Sequence, residues 1–108
     1  MLAQHAQRVV EQFYQHINAR DYTDAYTLVK TNSGQGRYCS LVDGYMLTEH
    51  DDVHIDNTTQ LSNGTVQVVA TVNATEETDS GTTMKVYHET YIAGQEYGTW
   101  RIINGTLL

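Results

Sequence analysis

Apolar residues recur at helical spacing along the first third of the chain. The stripe that this spacing would bury consists of Ala6, Val10, Phe13 and Ile17. It predicts a first helix over residues 2–19. A second helix should begin after Asp21, whose carboxylate can cap the free backbone N–H groups of the first turn. Lys30 suits its last turn, and a loop over residues 32–36 should end it. A third, short helix is predicted over residues 37–43, with Gly44 as its end.

Alternating apolar and polar residues mark the second half of the chain as β-structure. Strands are predicted around Val53 and over residues 64–74, 82–92 and 99–103. A sheet that is apolar on one face needs a cover, and the preceding helices supply it. We therefore predict an α+β fold, with N-terminal helices packed on the concave face of a curved four-stranded antiparallel sheet. Residues 1–108 form one domain.

The third predicted strand carries a histidine on its more apolar face. That face, which we expect to point toward the helices, consists of Met84, Val86, His88, Thr90 and Ile92. A buried histidine can act as a general base or a ligand anchor, or it can be a neutral core residue bonded to a hydroxyl or carbonyl group. The core interpretation is favoured because the pattern pairs no inward carboxylate with His88.

The opposite face of the sheet offers a surface for association. Tyr87 and Tyr91 fall on this face of the third strand. Together with Val69 and Ile103 on neighbouring strands they would form an aromatic and aliphatic patch. We expect a homodimer through these four residues.

Composition excludes several classes of partner. Six Lys and Arg residues stand against 13 Asp and Glu, which gives a net charge of −7. Such a surface repels nucleic acid and anionic lipid. No segment approaches the about 20 apolar residues of a membrane span, and the single cysteine excludes an internal disulfide. We expect no nucleic-acid partner and no membrane insertion within this segment.

Histidines and acidic residues alternate between Glu49 and Asp56 in a run that resembles a metal site. In an extended strand, His50 and His54 would stand about 13 Å apart. Two ligands of one zinc ion, each bonded at about 2 Å, cannot span that distance. We interpret the run as a solvated edge strand protected by charge. No metal and no cofactor is expected.

Several motifs resemble the NTF2-like superfamily. The segment from Tyr14 to Tyr26, with its Asn18-Ala19-Arg20-Asp21 turn, resembles the opening helix–turn–helix of that superfamily. The segment Gly98-Thr99-Trp100-Arg101-Ile102 resembles small NTF2-like modules of actinobacterial membrane and signalling proteins. The resemblance covers nearly the whole chain. It implies a cystatin-like cone, in which helices lie against a curved sheet around a cavity.

The same resemblance implies where steroid isomerases of the superfamily carry their catalytic groups. Their helix-1 tyrosine matches Phe13, which has no hydroxyl. Their second pocket carboxylic acid falls near Thr90. The segment that bears their general-base aspartate is missing between the second and third helices. These departures argue against that reaction, and no catalytic residue is assigned.

Two functional hypotheses stay open. The favoured one is a non-enzymatic NTF2-like binding or assembly module, an appendage of a larger membrane or signalling protein. The threonine-rich, lysine-poor composition favours an extracytoplasmic location for it. The alternative is a small lyase or isomerase of the polyketide-cyclase or steroid-isomerase type that uses His88 as acid or base. The residues expected to contact a small apolar ligand are His88, Tyr14, Tyr45 and Met84.

Overall fold

Three helices precede four strands in a computed structural model of the chain. The model describes residues 2–29 and 34–105, and only the backbone at 34–38 and 40. The elements are α1 (Leu2–Asn18), α2 (Tyr22–Thr27), α3 (Gly34–Tyr45), β1 (Thr48–Gln60), β2 (Val66–Thr78), β3 (Gly81–Glu96) and β4 (Thr99–Gly105). The strands form one antiparallel sheet in the order β1-β2-β3-β4. The predicted α+β architecture is confirmed.

Helix α1 buries the stripe predicted from its spacing. Its buried residues are Ala6, Val9, Val10, Phe13, Tyr14 and Ile17. They belong to one core cluster with Val66 and Val68 of β2 and Ile102 of β4. Removing this apolar surface from water is the main force that holds helix and sheet together.

The second and third helices differ from their predicted bounds. α2 ends at Thr27, because the chain beyond it pairs with the edge of the sheet. Ile102 N–H donates to the Leu28 carbonyl at 2.6 Å, and Val29 forms a parallel bridge with Ile102. α3 begins at Gly34, within a segment expected to be a loop. The packing of Leu41 and Tyr45 in the core stabilises this helix despite its glycines.

The register between β2 and β3 reverses one predicted strand face. Val72 lies opposite Tyr87 and Val68 opposite Tyr91. Directly opposed residues share a face, so both tyrosines lie on the concave side with the buried valines. The prediction that Met84, Val86, His88, Thr90 and Ile92 point inward was therefore wrong. Met84 and Val86 are 69% and 59% exposed.

Asn18 fixes the end of α1 to the outer edge of the sheet. Its side-chain amide donates to the Asp51 carbonyl at 2.8 Å, and its side-chain oxygen accepts from the Asp51 N–H at 2.7 Å. The two bonds replace a neighbouring strand at that point of β1. They satisfy backbone groups that an edge strand otherwise leaves unpaired, and they hold the Asp51 backbone in place.

Substitution of Phe13 tests this packing. Phe13 is fully buried, and Phe13→Ala should lower the free energy of unfolding by about 3–5 kcal/mol. Gln12→Ala, at an exposed position of the same helix, is the control and should change it by less than about 0.5 kcal/mol. Urea denaturation measures both. A loss below about 1 kcal/mol for Phe13→Ala would contradict its place in the core.

Candidate functional site

A cavity of about 110 Å³ lies on the concave side of the sheet, between the sheet and helices α1 and α3. The residues that line it belong to α1, to the end of α3 and to inward-facing positions of β1, β2 and β3. The lining residues are Tyr14, Gly44, Tyr45, Thr48, Asp51, Val72, Ala74, Glu76, Tyr87 and Glu89. The cavity thus combines three carboxylates and three phenols with a small apolar floor.

Buried tyrosines form the inner wall of the cavity. The hydroxyl groups of Tyr14 and Tyr91 share a short hydrogen bond, and the ring of Phe13 packs edge-on against Tyr14. Burial raises the pKa of Tyr14, Tyr45 and Tyr91 above the ordinary range of a phenol. All three therefore stay protonated at neutral pH. Hydrogen bonding between the Tyr14 and Tyr45 hydroxyl groups raises the pKa of Tyr14 further and opposes part of the rise in the pKa of Tyr45.

Asp51 places a carboxyl group against this wall. Its side chain is only 3% exposed, and among the described residues its Oδ2 atom has no hydrogen-bond partner. Burial, and then the charge of Glu76, raise the pKa of Asp51 to about 6, while His50 opposes the shift. Asp51 is consequently a carboxyl group that ionises close to neutral pH.

Glu76 connects the rim of the cavity to β3. Its carboxylate accepts a hydrogen bond from the Tyr87 hydroxyl at 2.6 Å and pairs with Lys85 Nζ at 3.5 Å. The bond to Glu76 raises the pKa of Tyr87 to about 12. Glu89, 4% exposed, is the third carboxyl group of the cavity.

The arrangement can perform two kinds of chemistry. Asp51 can exchange a proton near neutral pH, and protonated tyrosines can donate hydrogen bonds to an oxygen atom of a ligand. The same groups can instead hold a polar ligand without changing it, because buried carboxylate and phenol oxygens are strong hydrogen-bond acceptors.

Two of the four predicted ligand contacts line the cavity. Tyr14 and Tyr45 do so, although their role in binding stays a prediction. His88 and Met84 lie on the convex face instead. The Nδ1 atom of His88 is 3.3 Å from Thr71 Oγ1, in an exposed position. A histidine acting inside the cavity is therefore not supported.

The predicted dimer residues divide in the same way. Tyr91 is 1% exposed, and Tyr87 lines the cavity. Placing these two tyrosines on the outer patch was wrong, for the same reason of register. Val69 and Ile103 do lie on the convex face, where they are half-buried. Their part in an interface stays a prediction.

Sequence reasoning missed the three carboxyl groups of the cavity. Tyr14, rather than Phe13, brings a hydroxyl group to the cavity, and Glu89, rather than Thr90, brings a carboxyl group. The signal was present in the sequence. The turn between β2 and β3 pairs Thr78 with Gly81, and counting back from it places Tyr87 and Tyr91 opposite inward valines.

A second group of polar side chains lies at the corner between α1 and α2. Potential ligand atoms of His16, Asp21 and Asp24 lie within 4.8 Å of one another. Asp21 Oδ1 accepts from the Asp24 N–H at 3.4 Å and so caps α2. The Asp21 side chain also raises the pKa of Asp24. The helix cap accounts for this cluster.

No helix among residues 2–29 and 34–105 is long and apolar enough to cross a membrane.

No family model matches the chain, and no curated protein matches it. Solved structures do match. A ketosteroid isomerase-like protein from Erwinia carotovora atroseptica has a TM-score of 0.76 at 15% identity, over 95% of this chain and 92% of that one.

Two further neighbours share the architecture. An uncharacterized protein with a cystatin-like fold from Caulobacter vibrioides has a TM-score of 0.69 at 14% identity, over 94% of this chain and 84% of that one. The CaMKII hub of S. rosetta has a TM-score of 0.68 at 16% identity, over 95% and 92%. With its helices on the concave face of an open antiparallel sheet, the chain has the cone fold of the NTF2-like superfamily.

Proposed function

We propose that this domain is a non-enzymatic module that binds a small polar ligand in its concave cavity. The observation that carries the proposal is the buried Asp51 Oδ2 atom, which has no hydrogen-bond partner among the described residues. A buried polar group without a partner costs about 1–3 kcal/mol. Proteins keep such groups where a ligand or an ordered water completes the hydrogen bond.

The size and lining of the cavity restrict that ligand. A cavity of about 150 Å³ is known to hold benzene, and this one measures about 110 Å³. It therefore suits a molecule of a few non-hydrogen atoms. The carboxyl and phenol groups of the wall favour a polar ligand over the apolar one expected from the sequence. The expected role as an extracytoplasmic appendage of a membrane or signalling protein is part of this proposal.

A second candidate is a proton-transfer enzyme. The observation that favours it is the placement of the buried Asp51 carboxyl group in a cavity that Tyr14 also lines, with burial raising the pKa of Asp51 to about 6. A general base is most effective when its pKa lies near the working pH. The ketosteroid isomerase-like neighbour supports this candidate. A steroid exceeds the cavity, so the substrate would be a smaller carbonyl compound, with Asp51 rather than His88 as the base.

We also propose that the domain forms a homodimer through the convex face. Met84 and Val86 leave apolar surface in water there, and Val69 and Ile103 lie on the same face. The neighbouring structure of a hub domain supports assembly of this fold. The interface differs from the sequence prediction because Tyr87 and Tyr91 point the other way.

Filling the cavity tests the binding proposal. A library of small polar compounds should give saturable changes in the amide NMR signals of Tyr45, Asp51 and Glu76 in the wild-type chain. Ala74→Leu should abolish them, because the larger side chain occupies the cavity floor. Thr75→Leu, the next residue on the opposite face, should leave them intact. Absence of any saturable binding would contradict the proposal. Asp51-dependent deuterium uptake by a bound carbon acid would favour the enzyme instead.

The pH dependence of stability tests the environment of Asp51. Folding raises the pKa of Asp51 from 3.8 to about 6. The protonated carboxyl group therefore stabilises the folded state at low pH, and this contribution to the free energy of unfolding is lost as the pH rises from about 4 to 6. Asp51→Asn should therefore raise the melting temperature above pH 6 and have little effect near pH 4. Asp52→Asn, exposed on the same strand, is the control. An Asp51→Asn variant less stable than wild type above pH 6 would contradict the shift.

Charge on the convex face tests the dimer. Met84→Glu combined with Val86→Glu should yield monomer in sedimentation velocity, because the added carboxylates repel each other across a two-fold interface. Gln12→Glu combined with Gln15→Glu, at exposed positions of α1 on the other side of the sheet, is the control and should leave the dimer intact. A wild-type chain that is monomeric at high micromolar concentration would rule out this interface.

A further inference from the structure

The described lining of the cavity contains acidic side chains and no basic one. Asp51, Glu76 and Glu89 line it, and none of the lining residues that the structure describes is a lysine, arginine or histidine. Lys85 stands at the rim, where its exposed ammonium group pairs with Glu76. Asp51 has no such counter-ion at its Oδ2 atom within the described chain. A buried carboxylate without a counter-ion is destabilising, and a bound cation would remove that cost.

The spacing of the carboxyl groups argues against a single metal ion. Ligands of one Ca²⁺ ion bond at about 2.3–2.6 Å, so their oxygens lie within about 5 Å of one another. Among the residues described, the His16, Asp21 and Asp24 group alone brings three such ligand atoms within 4.8 Å. The three cavity carboxyl groups do not converge in this way. They suit a cation whose hydrogen-bond donors are spread over a larger volume.

We propose that the cavity binds a small organic cation, a primary ammonium compound with a short carbon chain. This inference rests on the proposed binding function and names the class of its ligand. The ammonium group has three N–H donors, for which Asp51 Oδ2 is a buried acceptor without a partner in the described chain. The Tyr45 hydroxyl oxygen in the cavity lining is a further acceptor. Val72 and Ala74 provide an apolar surface for the carbon chain.

Tyrosine rings add a second attraction for such a ligand. Tyr14, Tyr45 and Tyr87 all contribute to the cavity wall, and the face of a phenol ring attracts an ammonium group. An anionic ligand would instead meet three carboxyl groups, and like charges placed together are strongly unfavourable. A neutral ligand could fill the volume but would leave the Asp51 charge uncompensated.

Three matched probes test the class of ligand. Propylammonium chloride, 1-propanol and sodium propionate have similar shapes and differ in charge. Each is titrated into the 108-residue chain in a slightly alkaline buffer, with sodium chloride as the control for ionic strength. Propylammonium should give saturable changes in the amide signals of Asp51, Tyr45 and Glu76. Its affinity should be millimolar, as expected for a ligand of about four non-hydrogen atoms.

Variants then locate the charge that is recognised. Asp51→Asn should weaken propylammonium binding by at least about tenfold, because a hydrogen bond to a charged group is lost. Asp52→Asn removes the same charge from the neighbouring exposed position and should change the affinity less than about twofold, since an exposed charge contributes little. Glu76→Gln should give an intermediate loss. Circular dichroism of each variant confirms that it is folded.

The outcomes separate this inference from the function on which it rests. Equal weakening by Asp51→Asn and Asp52→Asn, or equal binding of propylammonium and 1-propanol, would overturn the recognition of a cation. Binding of 1-propanol or propionate alone would overturn it as well, but would leave the cavity as a ligand site. If none of the three probes and no compound of the wider library binds, both proposals fail.

Discussion

The pairing register between β2 and β3 determines which side chains reach the concave face. It places Val68 opposite Tyr91 and Val72 opposite Tyr87. Because these two strands carry no bulge relative to each other, the alternation of faces persists along their whole length. A shift of one residue would expose Tyr91 and Glu89 and bury Met84 and Val86. The hydrogen bond between the hydroxyl groups of Tyr14 and Tyr91 depends on this register.

One part of the concave surface is packed in the core, and another part lines the cavity. At one end, Val66, Ala93 and Ile102 are buried in the core cluster with the residues of α1. Toward the other end, the inward positions of β3 carry Glu89 and Tyr87, and the surface opens into the cavity. Carboxyl groups at core positions lower the stability of a fold, and proteins commonly accept this cost at functional sites. The raised pKa of Asp51 reflects the same cost, because burial disfavours the charged form of its carboxyl group.

Most of the architecture could be predicted from the sequence, because α1 and β2 follow simple periodicities. The stripe of α1 and the alternation of Val66, Val68 and Val72 are unambiguous. The inward face of β3 was predicted wrongly because its outward row of side chains is more apolar than its inward row. Hydrophobicity identifies the inward face only where that face is core, and here part of it lines a cavity. The loop geometry that fixes register was the more reliable guide.

Asp51 was missed for a different reason. It lies in a run of acidic residues and histidines that has the composition of a solvated edge. Its burial depends on α1 and α3 covering that part of β1, and on the two bonds between its backbone and Asn18. These are tertiary contacts, and no local pattern encodes them. The neighbouring Asp52 has the same composition around it and is exposed.

The β2–β3 hairpin extends beyond the end of its neighbouring strand β1. β1 pairs with β2 as far as Glu76, and the Glu77 N–H still donates to the Leu47 carbonyl at 2.7 Å, so only the hairpin tip from Thr78 onward is a two-stranded ribbon. A ribbon without a third strand or a packed face is marginally stable in water. Its amide hydrogens should exchange with solvent far faster than those at Val66 and Ala93 on the same two strands. The cavity, with Glu76 and Tyr87 at its rim, lies at the boundary between these slow and fast exchanging parts. A ligand held there would therefore slow the opening of backbone hydrogen bonds that it does not touch.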